Sequence, residues 1–233
     1  MQLNTTTLLS DEISYEIIKC LAQADAPIIF KGALITKLIT KNNIYNIERQ
    51  TLDLDADWNG ELLSINELEN YLNSILKKLD GIELKAFRNY DEGKSAGFYV
   101  YKNGKNISSF DLDMRKNEYF NVYEIDNINF YGSSIDKIYA DKIYILSSNL
   151  IFRRTKDLID LYILKSIADI NIEKINRIYK EKNRPLQDFS TLFYRKDEIE
   201  HAYSLLRRVT NKPPFNDVYE CCLEIAKKFK NEL

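Results

Sequence analysis

The chain has 233 residues, of which 45% are apolar, so it can form one large domain or two small ones with a well-packed core. Its formal net charge of -2 gives no global basic field, and a nucleic-acid partner would need a local patch of cations. The only histidine, His201, argues against catalytic triads and multi-histidine zinc sites, and the three cysteines lack metal-binding spacing and indicate reduced cytosolic thiols.

Helical and strand patterns alternate through the first part of the chain. A first helix is predicted after Ser10, which can cap it, and it ends before Pro27. A second helix is predicted to begin near Gly32, and the segment IERQTLDLDA (47–56) alternates polar and apolar residues like a strand. Ser64, with a glutamate three residues later, forms a capping-box pattern that predicts the start of a third helix.

The middle of the chain changes to a β pattern and the last part is helical. Residues 82–130 are rich in aromatic and β-branched residues, and the Asn-Gly pair at 103–104 predicts a tight hairpin. Beyond Ser133 the pattern predicts four or five helices. The sequence therefore predicts an α+β fold, with one domain over 1–132 and a helical domain over 133–233.

Three aspartates, Asp53, Asp55 and Asp57, occupy every second position of the predicted strand, which places them on one face. A calcium loop is excluded, because its template requires glycine where Trp58 stands and glutamate where Ser64 stands. A solvated polar strand and a metal-binding strand both remain open from this pattern. We interpret Asp57 as a spare surface carboxylate.

A second acidic strand favours the metal-binding alternative. Asp111 and Asp113 share one face of the segment SSFDLDM. Carboxylates on neighbouring strands raise one another's pKa, and divalent cations relieve that cost. Oxygen ligands at this density are typical of Mg²⁺, which keeps waters and bridges to substrate phosphates.

Lys142 lies on the apolar stripe of a predicted helix, where a lysine either extends to solvent or meets an anion. In the next predicted helix, capped by Thr155, Asp160 continues the apolar stripe and needs a partner. Asp157 lies in the first turn, where the helix dipole alone can account for it. We expect Asp160 to approach Lys142, and a structural ion pair between the two helices is the alternative to a catalytic one.

Four segments in this order resemble a known family. They are KGAL (31–34), RQTLDLD (49–55), ADK (140–142) and RRTKDLIDLYIL (153–164). Together they are similar to the AbiEii/AbiGii abortive-infection toxins, nucleotidyltransferases of the polymerase-beta-like superfamily that act in two-gene toxin–antitoxin modules. The resemblance spans about 28–168. It implies an N-terminal polymerase-beta-like domain with a mixed sheet, followed by a helical bundle that completes the active-site cleft.

The resemblance also implies a metal site. Asp53 and Asp55 match the metal-binding Asp-x-Asp pair, and Asp113 matches the third carboxylate, with Asp111 as its alternative. Two Mg²⁺ ions are implied as cofactors, and Asp113 is expected to help activate the acceptor.

Further residues are implied to bind the nucleotide or act beside it. Lys142 matches an active-site lysine that would neutralise the triphosphate, and Asp160, with Asp157 as its rival, matches a later aspartate of the family. Where the superfamily usually has Gly-Ser or Gly-Gly, this chain has Gly-Ala, which lacks a hydroxyl for a phosphate. The residues implied to contact the nucleotide are Lys31, Gly32, Ala33, Arg49 and Thr51.

The implied reaction is transfer of a nucleotide from an NTP to an acceptor, with release of pyrophosphate. The resemblance favours the 3′ end of tRNA, and eleven Lys and Arg against six Asp and Glu between Lys137 and Arg184 give local support. Modification of a protein hydroxyl, and a non-catalytic nucleotide- or partner-binding protein, are the alternatives. With no membrane-spanning run and no basic-then-apolar N-terminus, we expect a cytoplasmic protein. The resemblance implies a cognate antitoxin as its protein partner, and we expect the chain to be a monomer.

Overall fold

The computed structural model describes residues 5–41, 45–49, 51, 53–89 and 95–230, with backbone alone for 5–11, 48 and 49. The strands are β1 (Ile28–Lys31), β2 (Glu48–Arg49), β3 (Asp53–Trp58), β4 (Ile82–Arg88), β5 (Ser95–Lys102), β6 (Lys105–Asp113), β7 (Phe120–Ile125), β8 (Ile128–Ser133) and β9 (Val209–Thr210). The helices are α1 (Thr5–Gln23), α2 (Gly32–Ile39), α3 (Ile65–Leu76), α4 (Ile135–Leu146), α5 (Lys156–Lys165), α6 (Ile172–Glu181), α7 (Ser190–Tyr194), α8 (Lys196–Ser204) and α9 (Phe215–Lys230).

The chain divides into two compact units. The first unit comprises described residues of 1–35 and 50–134, and the second those of 36–49 and 135–233. The sequence placed the boundary after residue 132, whereas this division falls after Ser134 and assigns the segment 36–49 to the second unit.

The first unit is built around a mixed seven-stranded sheet in the order β4-β5-β6-β3-β1-β8-β7. The pairs β3–β6 and β1–β8 are parallel and the others are antiparallel. One face of the sheet is apolar and packs under α1 and α3. Its fully buried side chains include Phe30, Leu54, Phe98, Phe110 and Leu112. Because side chains alternate along each strand, the intervening residues, including the aspartates, share the opposite face.

Several local predictions for the first unit are confirmed. Ser64 and Glu67 form the capping box, with Ser64 Oγ accepting from the Glu67 N–H at 3.3 Å. The pair at 103–104 joins β5 to β6, and its φ values of 51° and 77° are those that a type I′ hairpin turn requires. The prediction for Ser10 is wrong, because α1 already begins at Thr5 and Ser10 lies inside it.

The second unit is helical, with β2 and β9 forming a short antiparallel ribbon. Among the described residues it contains six α-helices after Ser134 rather than the four or five predicted, together with a 3-10 turn over Asn149–Phe152. Buried tyrosine hydroxyls donate to backbone carbonyls, as Tyr139 does to Ala168 and Tyr179 to Ala140. No helix in the described ranges is long and apolar enough to cross a membrane.

We expect Ser64→Ala to lower the free energy of unfolding by about 1 kcal/mol, because the N–H groups at the start of α3 lose their acceptor. Urea unfolding at neutral pH measures this difference. Ser74→Ala is the matched control, because Ser74 Oγ donates to the Tyr71 carbonyl inside the same helix and caps nothing. Equal effects of the two substitutions would contradict the assigned cap.

Candidate active site

The three aspartates of β3 share one face of the sheet but differ in depth. Asp53 is exposed, Asp55 is half-buried and Asp57 is only 5% exposed. Ser109, directly opposite Asp53 on β6, donates its hydroxyl to Asp53 Oδ1 at 2.9 Å. The strand therefore presents a pair of carboxylates, Asp53 and Asp55, at the open end of this face and buries the third.

The turn into α2 lies directly against Asp55. Gly32 has a φ of 72°, a conformation that favours glycine, and a β-carbon at this position would overlap Asp55 Oδ2. The glycine that was expected to bind the nucleotide is thus required for a second reason. It allows the backbone at the start of α2 to approach the Asp55 carboxylate closely.

Asp57 is not the spare surface carboxylate that the sequence suggested. It is ion-paired with the Lys31 ammonium group, and it accepts a hydrogen bond from Asn117 Nδ2 at 2.8 Å. Asn117 is itself 2% exposed, and its backbone and the Asn59 side chain exchange two hydrogen bonds of 2.8 Å. A buried carboxylate costs free energy unless it is paired, and this network provides the pairing.

The register of β3 against β6 separates the two candidates for the third carboxylate. Asp111 lies opposite Asp55, whereas Asp113 lies opposite Asp57, one pleat further from Asp53. Asp113 accepts from Arg115 Nη2 at 2.6 Å and lies 3.5 Å from the Lys31 ammonium. Burial raises its pKa, but these cations outweigh burial and leave the pKa below its ordinary value.

Asp111 is itself more accessible than Asp113. It accepts from Arg88 Nη2 at 2.6 Å, and both side chains are more than one-third exposed. Such a pair is weak and can open when a stronger ligand of either group arrives. The carboxylate level with Asp55 is therefore available to a ligand, whereas Asp113 is held between two cations.

Asp53 and Asp55 could supply some, but not all, of the ligands of a metal ion. Among the described residues, no group of three or more His, Cys, Asp or Glu side chains is assembled closely enough to hold a metal ion. The structure thus does not bring Asp53, Asp55 and Asp113 together as the predicted three-carboxylate site. Mg²⁺ commonly binds one or two carboxylates and takes its other ligands from water and substrate phosphates, and the Asp53–Asp55 pair provides that minimal donor set.

Lys142 is buried in an ion-pair network of the second unit. Its ammonium group donates to Asp160 Oδ2 at 2.5 Å and to Asp157 Oδ1 at 3.0 Å. Arg154 Nε donates to Asp157 Oδ2 at 2.8 Å. The Asp160–Lys142 contact is the one that we expected. Asp157, for which the helix dipole alone was expected to account, is 1% exposed and also pairs with Lys142. Thr155 also fails to cap α5 and donates instead to Ile151 and Phe152.

The electrostatics of this network follow from its geometry. Burial raises the pKa of Asp157, but the charges of Lys142 and Arg154 outweigh burial and lower it to about 2. Two cations and two carboxylates balance one another. This balance of charge is typical of ion pairs that hold two helices together, here α4 and α5.

The residues that were expected to contact a nucleotide lie on different elements and differ in their contacts. Lys31 is ion-paired as described, Gly32 begins α2, and Ala33 is half-buried in its first turn. The Thr51 hydroxyl lies 3.4 Å from the Asp53 carbonyl. The Arg49 side chain lies outside the described residues.

Ser109 and Asn117 were not predicted from the sequence. Both support aspartates of β3, but Ser109 is recognisable only from the parallel pairing of β3 with β6, and Asn117 lies between strands. The predicted basic surplus in residues 137–184 is also reduced, because many of its cations are ion-paired. Those paired within the second unit are Lys137, Lys142, Arg154, Lys165, Lys174 and Arg184.

The fold is shared with solved structures from Helicobacter pylori. One, described as a proposed nucleotidyltransferase, has a TM-score of 0.60 and 17% identity, covering 99% of this chain and 97% of that one. Another, JHP933, has a TM-score of 0.58 and 16% identity, covering 100% of this chain and 95% of that one. No protein-family model matches the sequence, and the comparison with curated proteins gives no match.

These likenesses extend over almost the whole chain. They confirm the predicted α+β class, with a mixed sheet and a helical C-terminal region in a nucleotidyltransferase-like fold. The narrower resemblance to abortive-infection toxins stays a prediction.

We expect Lys142→Met to lower the free energy of unfolding by about 3–5 kcal/mol, because it leaves two buried carboxylates without their shared cation. Urea unfolding at neutral pH measures the loss. Lys165→Met is the control, since Lys165 pairs with the exposed Glu224 and its replacement should cost at most about 1 kcal/mol. A stability of Lys142→Met equal to that of the control would show that the network contributes little.

Proposed function

We propose that this protein is a nucleotidyltransferase that transfers a nucleotide from an NTP to a hydroxyl of an acceptor RNA. The observation that carries the proposal is the Asp53–Asp55 pair on β3, with Asp55 seated against the Gly32 turn that begins α2. A nucleotide-binding turn and an acidic strand in contact are what this chemistry needs, since the triphosphate must lie beside the carboxylates. The nucleotidyltransferase-like fold supports the same reaction class.

Binding of the triphosphate is assigned to the start of α2. The N–H groups and the dipole of a helix N-terminus favour anions, and α2 extends over Gly32–Ile39. Lys31 precedes this turn and lies opposite Asp55 in the pairing of β1 with β3. Its ammonium group, already held by Asp57 and Asp113, adds positive charge beside the phosphates.

The carboxylates would hold the metal and orient the acceptor. Asp53 and Asp55 are the residues that would hold Mg²⁺, which when bound would stabilise negative charge on phosphate oxygens, and Asp111 lies level with Asp55. The acceptor oxygen attacks the α-phosphorus, the bond from that phosphorus to the β-phosphate oxygen breaks, and pyrophosphate leaves. We assign Asp111 to receive the proton of the acceptor hydroxyl. Ser109 keeps the Asp53 carboxylate oriented.

In this proposal, the ion pair of Lys142 with Asp160 stabilises the packing of α4 on α5 and does not contact the nucleotide. The ammonium group is buried and shared by two carboxylates, so contact with a triphosphate would require breaking the network first.

The cellular role that we propose is that of a toxin in a toxin–antitoxin module, acting in the cytoplasm on the 3′ end of tRNA and neutralised by its cognate antitoxin. The four ordered motifs that resemble abortive-infection toxins support this role. Incubation with NTPs labelled at the α-phosphate, Mg²⁺, total RNA and cell protein tests the acceptor. Label in tRNA supports the proposal. Label in protein would show that the acceptor is a protein hydroxyl and not tRNA, and the absence of label under every condition would contradict nucleotide transfer.

We expect Asp53→Asn and Asp55→Asn each to reduce nucleotide transfer by at least about 100-fold, since several kcal/mol of transition-state stabilisation is lost. Initial rates of label incorporation measure this, and the same substitutions should relieve growth arrest on expression. Asp80→Asn, an exposed aspartate of the same unit, is the control and should leave the rate unchanged. Full activity of folded Asp53→Asn and Asp55→Asn proteins would reject the site.

We expect Asp111→Asn to abolish most transfer, whereas Asp113→Asn should retain most of it and mainly lower stability, because Asp113 holds Lys31 and Arg115 and lies one pleat further from Asp53. The comparison is internally matched, because both substitutions are isosteric and occupy one face of β6. Transfer rates and urea unfolding are measured for both variants. A slower transfer rate for Asp113→Asn than for Asp111→Asn would show that Asp113, and not Asp111, is the third catalytic carboxylate.

A further inference from the structure

Two exposed aromatic residues and a half-buried third form a continuous surface on the outer strands of the first unit. Phe87 on β4 and Tyr99 on β5 are 43% and 39% exposed, and their rings stack with centroids 4.3 Å apart. Tyr101 meets Tyr99 edge-on at 6.4 Å. Phe98 and Val100, which alternate with the two tyrosines along β5, point to the other face and fill the core. Phe87, Tyr99 and Tyr101 are here termed the aromatic platform.

The backbone is shaped to lay the Phe87 ring along the sheet. The β4–β5 pairing shifts register between Ala86 and Arg88, and Gly97 lies on the neighbouring strand at that point. A β-carbon at Gly97 would be 2.7 Å from Phe87 Cζ, so only glycine leaves room for the ring. The Phe87 ring extends over Gly97, stacks on Tyr99 and stays 43% exposed.

The aromatic platform lies on the same face of the sheet as the aspartate pair. Tyr99 is opposite Ser109, and Ser109 is opposite Asp53, to which it donates its hydroxyl. Because this row crosses two interstrand spacings, Tyr99 and Asp53 are separated by about 10 Å along the sheet. A strand of nucleic acid stacked on the platform could therefore reach the aspartates with its terminal ribose.

Cations stand beside the platform. The Lys85 ammonium lies 5.3 Å from the centroid of the Tyr101 ring, and the Arg88 guanidinium lies 5.6 Å from that of Phe87. Their ion pairs with Glu83 and Asp111 are solvent-accessible and weak, so both cations can also contact phosphates. Stacking rings with flanking cations are the combination that binds single-stranded nucleic acid.

We propose that the aromatic platform binds unpaired bases of the acceptor RNA and delivers its 3′ hydroxyl to Asp53 and Asp55. The inference rests on the proposed function for the identity of the acceptor. Flat exposed rings need a free base face, which a duplex does not offer, so the platform selects single-stranded RNA. Lys85 and Arg88 contact the backbone phosphates on either side of the stacked bases.

The test measures RNA binding without NTP or Mg²⁺, by fluorescence anisotropy with a labelled single-stranded RNA of mixed sequence. Tyr99→Ala and Phe87→Leu should each weaken binding about 10-fold, whereas Tyr99→Phe should retain it, because stacking needs the ring and not the hydroxyl. Tyr131→Ala, which removes a 51% exposed aromatic residue from β8, is the matched control and should bind as the unmodified protein does. Lys85→Gln should reduce the slope of log K against log salt by about 0.7.

Two results would overturn the platform. One is single-stranded RNA binding by folded Tyr99→Ala and Phe87→Leu proteins that equals that of the control. The other is binding of the same RNA in duplex form as tightly as in single-stranded form.

The transfer assay separates this inference from the proposed function. If Asp53→Asn abolishes transfer while the platform variants bind RNA normally, the platform is wrong and the proposed function stands. If the platform variants lose RNA binding but no variant or unmodified protein transfers a nucleotide, the platform stands as an RNA-binding site and the proposed function is wrong.

Discussion

Repulsion among carboxylates on one face of the sheet is the constraint on which the first unit depends. β3 and β6 place five aspartates side by side, and each must be paired, solvated or given a cation before the strands can associate. At the buried end, the charges of Lys31 and Arg115 and a hydrogen bond from Asn117 stabilise Asp57 and Asp113. Asp53 and Asp55 lie at the more exposed end of the same face. The sheet therefore combines a buried end paired with cations and an accessible acidic end that a metal ion can reach.

Two groups of ion pairs, one around Lys142 and one formed by Arg88 and Asp111, differ in how easily a ligand can replace a partner. In the second unit, Lys142 and its aspartates are almost fully buried, so a ligand could reach them only by displacing packed groups. In the first unit, Arg88 and Asp111 are accessible and can trade one partner for another. The sheet face is therefore the better candidate for ligand binding, although Lys142 was predicted from the sequence to be equally important.

Sequence periodicity predicted what depends on neighbours along the chain. The capping box at Ser64, the hairpin at 103–104 and the shared face of the β3 aspartates all follow from local spacing. Relations set by pairing between distant strands were out of reach. Whether Asp111 or Asp113 lies level with Asp55 depends on the register of β6 against β3, two strands that are distant in sequence. The depth of Asp57 and Asp157 depends on tertiary packing in the same way.

The position of β1 in the sheet also governs when the first unit can become complete. β1 pairs in parallel with β8, joining Phe30 to Gly132, and the Phe30 ring packs edge-on against Phe130. During synthesis, β1 cannot pair with β8 until the ribosome has made more than half of the chain. Such long-range pairing is slow to form. The acidic strand is thus translated early but acquires its finished surroundings late, which delays the onset of any activity relative to the appearance of its residues.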